Sequence, residues 1–235
     1  MATKTPEQIA PGVYRVDAIG IPNAISVLLL ADSDGWTLVD AGVRGSALRI
    51  QEALSALGAG PDELRYIYLT HHHLDHIGGL PAVRWWATQA QVGATEHEAQ
   101  VISGERPLDP PSNALFRFFA RRRELPAAQV DRVLREGDSF AGFRVIATPG
   151  HTQGHTSLIN DQHGVLFTAD AFGSMPLKVR VGVRKFFCTD PAEAQRSAEK
   201  LLREEFSTVV FSHGKPLYED AKQRLSEVAA RDQYA

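Results

Sequence analysis

THHHLDHIGG, residues Thr70–Gly79, follows directly on the apolar run LRYIYL (Leu64–Leu69) and sets four of the chain's nine histidines and one carboxylate within six positions. The apolar run reads as a strand, so the cluster is expected at a strand-to-helix or strand-to-loop junction, where functional groups are commonly carried. In an extended segment His71 and His73 share one face, while Asp75 and His76 begin the next turn and can aim at a neighbouring point. One loop can thus serve two adjacent ions. His72 alternates away from both neighbours and is expected to point outward without binding metal.

Outward from this stretch, the chain alternates strand and helix patterns. Val13–Ala18, Ala24–Leu30 and Trp36–Val39 read as an opening antiparallel meander, broken by Gly20-Ile21-Pro22-Asn23 and Asp32-Ser33-Asp34-Gly35. Ser46–Leu57 carries apolar residues at helical spacing and stops at Gly58-Ala59-Gly60-Pro61. Gln91–Ala94 is a short strand and Ala94–Ile102 a short helix. A helical insertion is expected at about 103–130, with Phe116, Phe118 and Phe119 on a helix that forms either an apolar wall for substrate or an anchor to the core. Pro191–Arg203, with Asp190 as N-cap, and Tyr218–Arg231 are the last helices.

Three strand patterns in the second half end in a metal-capable residue: Phe143–Ala147 leads to His151, Gly164–Thr168 to Asp170, and Thr208–Phe211 to His213. Each of these residues has a glycine within three positions, expected to let the backbone turn sharply. The single cysteine, Cys188, excludes an internal disulfide and a thiolate-rich zinc site, leaving His, Asp and Glu as ligands. Four groups in the opening stretch cannot complete two sites, so His151, Asp170 and His213 are expected to join them. Stereochemistry groups His71, His73 and His151 on one metal and Asp75, His76 and His213 on a second, with Asp170 bridging.

HHHLDH fits the pattern HxHxDH. With TPGHTQGH (Thr148–His155), FTAD (Phe167–Asp170) and FSHG (Phe211–Gly214) in order, the chain resembles the metallo-β-lactamase superfamily of hydrolases over nearly its whole length. LVDAG (Leu38–Gly42) resembles the family's early strand ending, which implies that Asp40 lies near the metals. The resemblance implies a single domain over 1–235 with the α/β (α+β) architecture of that fold: an αββα four-layer sandwich, two mixed β-sheets flanked by helices, metals at one edge. It also implies a hydrolase in which two divalent ions, most often Zn²⁺ with Fe, Mn or Co as alternatives, share a bridging hydroxide that attacks an acyl carbon, Asp75 holding or receiving the proton.

Asp170 as a bridge argues against a typical β-lactamase and favours the glyoxalase II and lactonase-like branch, hence an ester, lactone or thioester. About twenty residues follow His213, too few for the glutathione-binding arm of true glyoxalase II. A ribonuclease Z-like phosphodiesterase, a β-lactamase and a non-catalytic binding module are the alternatives. His155 is open between a substrate or supporting role and a buried hydrogen bond, while His97, His163 and Cys188 read as structural.

The formal charge of −3 on 235 residues, with 23% charged, offers no polyanion-binding surface. Arg121-Arg122-Arg123 reads as a solvated helix face, and Lys178, Arg180, Arg184 and Lys185 as one side of an extended loop beside the site. The start lacks the charged and apolar regions of a secretory signal, and no stretch reaches the ~18 apolar residues of a membrane span. A cytoplasmic protein with a small-molecule acyl substrate, no nucleic-acid or membrane partner, and a possible homodimer is expected.

Overall fold

The structure, a computed structural model, describes residues 5–113, 125–126, 128–174 and 178–233. A seven-stranded sheet runs in order β1 (Glu7–Ala10), β2 (Val13–Asp17), β3 (Ser26–Asp32), β4 (Gly35–Val39), β5 (Leu64–Tyr68), β6 (Gln91–Thr95), β7 (Arg132–Leu134). Its first four strands are antiparallel and its last four parallel. The second sheet holds β8 (Ser139–Phe140), β9 (Phe143–Ala147), β10 (Thr156–Asn160), β11 (Val165–Phe167) and β14 (Thr208–Val210), antiparallel except for the parallel β11–β14 edge. β12 (Phe172–Ser174) and β13 (Val179–Val181) form a separate ribbon.

Strand periodicity sorts the apolar residues into three cores. Val27 and Leu29 of β3 and Ile67 of β5 join a cluster with Ile50 and Leu54 of α1 (Ala47–Ala56) and Leu80 and Val83 of α3 (Leu80–Trp86). Their strand neighbours Leu28, Leu30, Tyr66 and Tyr68 face the other way, onto Phe143, Val145, Val165 and Phe167 of the second sheet. Ile146 and Leu166 turn to the far side, against Ala194, Ala198 and Leu201 of α5 (Pro191–Leu201) and Leu225 and Val228 of α6 (Ala221–Arg231). Helix, sheet, sheet, helix: the sandwich is the expected αββα, and the continuous VLLL run of β3 is explained by burial on both faces.

Topology puts the site at one rim. β9 and β11 are each antiparallel to β10 between them, and β14 is parallel to β11, so all three end on the same side. Among the described residues the expected strands and the helices outside the insertion are present, with ends shifted by a few residues, while the helical insertion expected at about 103–130 lies largely outside them; Asp190 does cap α5, accepting from the Glu193 N–H at 3.0 Å. Strands β1, β7, β8, β12 and β13 went unread in the sequence, each short and with weak local patterning. Val179–Val181 and the 3₁₀ turn Lys185–Phe187 replace the expected extended loop, and Arg180 pairs with Asp232 at 3.4 Å. The Phe116, Phe118 and Phe119 wall and the Arg121-Arg122-Arg123 run lie outside the described residues.

Candidate metal centre

β5 delivers the histidine stretch to the rim, and the chain stays extended through His73, which caps α2 (Leu74–Ile77) with φ −68° and ψ 147°. Extended geometry keeps His71 and His73 together, and the helical turn then carries Asp75 and His76 to the second point. Gly78 and Gly79 matter for close approach: a Cβ on Gly79 would fall on the Ala41 carbonyl oxygen, and one on Gly78 on that of Leu74. Of the three glycines expected to turn the chain after the later ligands, Gly214 alone has positive φ, 140°. A Cβ on Gly154 would press into Glu98 and His97, and one on Gly173 into Val183. Packing, not turning, selects glycine at those two positions.

His71, His73, His151 and Asp170 converge within 4.8 Å, and Asp75, His76 and His213 do the same beside them. In the first set His73 Nδ1 lies 3.1 Å from His71 Nε2 and 2.9 Å from His151 Nε2. Asp170 Oδ2 stands 3.2 Å from His151 Nε2 and 3.9 Å from His71 Nε2. In the second set His213 Nε2 is 3.2 Å from Asp75 Oδ2, and His76 Nε2 is 4.0 Å from it. Asp170 Oδ1 faces both, at 3.5 Å from His213 and 3.6 Å from His76. One oxygen of Asp170 therefore serves each set.

The rings are aimed by their far nitrogens. His76 Nδ1 donates to Asp40 Oδ2 at 2.8 Å, and His213 Nδ1 to the Ala24 carbonyl at 2.6 Å. The Thr70 hydroxyl donates to Asp40 at 2.9 Å, so its oxygen accepts from His71 Nδ1 at 3.1 Å. Each arrangement leaves Nε2 facing inward, the outer-contact pattern of metal-binding histidines. Asp40 holds φ 61°, a left-handed conformation that a short acidic side chain tolerates, and its Oδ1 also accepts the Thr70 N–H at 2.9 Å. His155 is buried; its Nδ1 bonds Thr148 and its Nε2 accepts the Asp170 N–H at 3.1 Å, so it supports the bridging carboxylate's backbone.

Burial and the neighbouring imidazoles hold His71 and His73 well below the ordinary histidine range, leaving neutral nitrogens. Burial pushes His213 and His76 the same way, but carboxylates outweigh it: Asp170 and Asp75 raise His213 to about 9, and Asp170 and Asp40 raise His76 well above its usual value. Burial would raise Asp75 and Asp170; instead contacts with His213 and His76 hold both low and ionised.

These residues fit metal. His73 Nδ1 faces two other imidazole nitrogens at once, an arrangement one proton can relieve only for a single pair. His76 Nε2 and Asp170 Oδ1 are buried without a hydrogen-bond partner. Ligand pairs around a tetrahedral ion with ~2.0–2.1 Å bonds lie about 3.3 Å apart, and the 2.9–3.9 Å spacings of the first set bracket that value.

His72 departs from expectation. It turns away from the donor sets, but what it meets is Glu98 on α4 (Glu96–Ile102), at 2.6 Å, and it is 1% exposed. The outward direction ends in protein, not solvent, because α4 packs over this stretch. Glu98 was not singled out in the sequence, where a glutamate in a helix's first turn carries no such signal. His97 pairs with Asp109 at 2.9 Å, the His163 N–H donates to Asn160, and Cys188 is buried.

Two mixed sheets packed face to face, with paired His and Asp donor sets where the strands end, define a class: metal-dependent hydrolases of the αββα type. A family model described as the metallo-beta-lactamase superfamily matches residues 20–213, and the chain belongs to that superfamily. Its relatives include the probable metallo-hydrolase YflN of Bacillus subtilis, 28% identical over 247 residues covering 95% of this chain and 92% of that one. The hydroxyacylglutathione hydrolase of Fuscovulum blasticum is 31% identical over 198 residues, covering 81% and 65%. Among solved structures, a Cronobacter sakazakii metallo-β-lactamase with an HARLDQ motif aligns at TM-score 0.73 and 25% identity, covering 97% of this chain and 91% of that one. The subclass B3 enzyme BJP-1 of Bradyrhizobium japonicum, at TM-score 0.72, 23% identity and 97% and 90% coverage, shares the fold. Among the described residues no helix is long and apolar enough to cross a membrane.

Proposed function

We propose that the protein is a dinuclear metal-dependent acyl hydrolase that cleaves a small ester, lactone or thioester. One observation carries the reading: the two oxygens of Asp170 are divided between two complete donor sets. The first ion would be held by His71, His73 and His151, the second by Asp75, His76 and His213, with Asp170 between. The donor chemistry suits Zn²⁺; iron, manganese and cobalt accept the same ligands. When bound, such a pair lowers the pKa of water toward neutrality and polarises an acyl oxygen.

The protein's own groups do the rest. Asp75, its side chain 34% exposed and ion-paired with His213 at 3.2 Å, sets an ionised carboxylate at the solvent side of the site. His155 and Asp40 keep the ligands from reorienting as charge changes during turnover. A relative named for hydroxyacylglutathione hydrolysis supports an acyl substrate.

Metal analysis of the purified protein, followed by a panel of p-nitrophenyl esters, lactones, thioesters, β-lactams and phosphodiesters, tests this. Two metal equivalents and turnover of an acyl compound are expected. Turnover of phosphodiesters alone would overturn the acyl assignment, and protein active with one equivalent would overturn the dinuclear one.

A further inference from the structure

Behind the first donor set lies a third acidic cluster, His72, Glu98 and Asp109, whose polar atoms fall within 4.8 Å of one another. It is not built for an ion. Glu98 Oε2 meets His72 Nδ1 at 2.6 Å, closer than the roughly 3.3 Å separating two ligands of one metal. Glu98 Oε1 accepts from the Thr152 hydroxyl at 2.6 Å and from the Gly154 N–H at 3.1 Å. Asp109 accepts from the Gln153 N–H at 2.6 Å and binds His97 at 2.9 Å. All four carboxylate oxygens are engaged.

What the cluster does is visible in the partners. His72 sits between His71 and His73, while Thr152, Gln153 and Gly154 are the three residues that follow His151. Thr95 at the start of α4 adds a bond from its hydroxyl to the Gly154 carbonyl at 2.8 Å. Glu98 is 0% exposed, and Gly154 is packed so tightly on it that a Cβ there would sit 2.8 Å from Oε1. The two segments supplying the first set's histidines are 78 residues apart in sequence, and one buried carboxylate bonds both. Among the described residues the hydrogen bonds of Glu98 go to His72, Thr152 and Gly154, while the second set's His213 is aimed by Ala24.

We infer that Glu98 is a positioning residue for the first metal: it clamps the His71–His73 segment to the His151 loop and so sets the spacing of the three imidazoles. The clamp rests on the two-set reading above. Removing the carboxylate frees the two segments to drift apart, which loosens the first set and leaves the second intact.

The test uses the full chain, stripped of metal and titrated with Co²⁺ against a chromophoric chelator, the visible Co²⁺ absorption reporting coordination. His213→Ala retains the first set and His151→Ala the second, so each is read alone. Adding Glu98→Ala to His213→Ala should weaken Co²⁺ binding by about tenfold or more, in the range of lost outer contacts to metal ligands. Added to His151→Ala it should change affinity by less than about threefold, and Glu98→Gln, which keeps the Oε1 acceptor, should restore most of the first-set loss. Equal weakening of both sets in step with falling Tm, or no weakening of either, overturns the clamp. Where Glu98→Ala does not fold, Thr152→Val, which deletes one of the clamp's bonds, decides by the same criterion. Wild-type protein that binds no Co²⁺ at all would instead overturn the metal reading itself, and the clamp with it.

Discussion

Replacing Asp40 with Asn separates the orientation of a candidate metal-binding histidine, His76, from its presence. The Thr70 N–H, at 2.9 Å from Oδ1, requires the amide oxygen on that side, and the Thr70 hydroxyl at 3.0 Å from the same atom is kept as well. The amide nitrogen then faces His76 Nδ1, which now bonds Asp40 Oδ2 at 2.8 Å. Two N–H groups cannot share that contact, so His76, deprived of the carboxylate, gives up its Nδ1 proton and keeps the one on Nε2, the nitrogen that faces Asp170 and the second set. Returning the proton to Nδ1 for metal binding buries an unpaired donor in a side chain 1% exposed, costing about 1–3 kcal/mol, or roughly 5- to 150-fold in affinity. Asn also accepts the φ of 61° with little strain, so the fold should be retained. Stepwise metal titration by calorimetry should show one equivalent weakened by that factor and the other within about threefold of wild type. Asp40→Asn protein that holds both equivalents with wild-type affinity would refute the tautomer argument.

Asp170→Ala and Asp75→Ala should each abolish turnover while circular dichroism stays native, and Asp170→Ala should also lose about one metal equivalent; near-normal rates with metal lost would contradict the two-metal mechanism. Because His213 is raised to about 9 and His76 is also raised, both keep protons at neutral pH and must release them to bind metal. Affinity of the second set, read in His151→Ala, should therefore rise with pH between about 6.5 and 9, up to tenfold per unit per proton released, while that of the first set, read in His213→Ala, stays nearly flat because His71 and His73 are already neutral. A flat profile for both would show the raised histidines are not protonated. Phe167→Ala, emptying a fully buried ring position between the sheets, should cost about 3–5 kcal/mol in denaturant unfolding with metal stoichiometry unchanged; a loss under 1 kcal/mol would mean the inter-sheet core collapses around the gap.

The candidate donors were legible because metal chemistry restricts residue type and spacing so severely. Two histidines at alternate positions of a strand end, a carboxylate and histidine opening the next turn, and three later strands each ending in His or Asp leave few other readings. The strands β3, β5, β9 and β11 were legible as short, largely apolar runs bounded by turn residues, because a strand covered on both faces must be apolar on both. The short strands β1, β7, β8, β12 and β13 were not, since two to four residues hold a strand conformation through the partner they pair with, and pairing is a tertiary fact.

His72 marks the boundary. Alternation alone established that it faces away from the ligands, but whether that direction led to water or protein depended on where α4 packs. The sequence by itself determined which candidate donors the site contains and the order in which they come, because donor chemistry is a property of single side chains. Tertiary structure alone decided that Asp40 aims His76 and that Glu98 ties His72 to Thr152, and it gave distances to the Asp170 bridge that the sequence had only suggested: contacts between segments distant in the chain exist only once the sheets have packed.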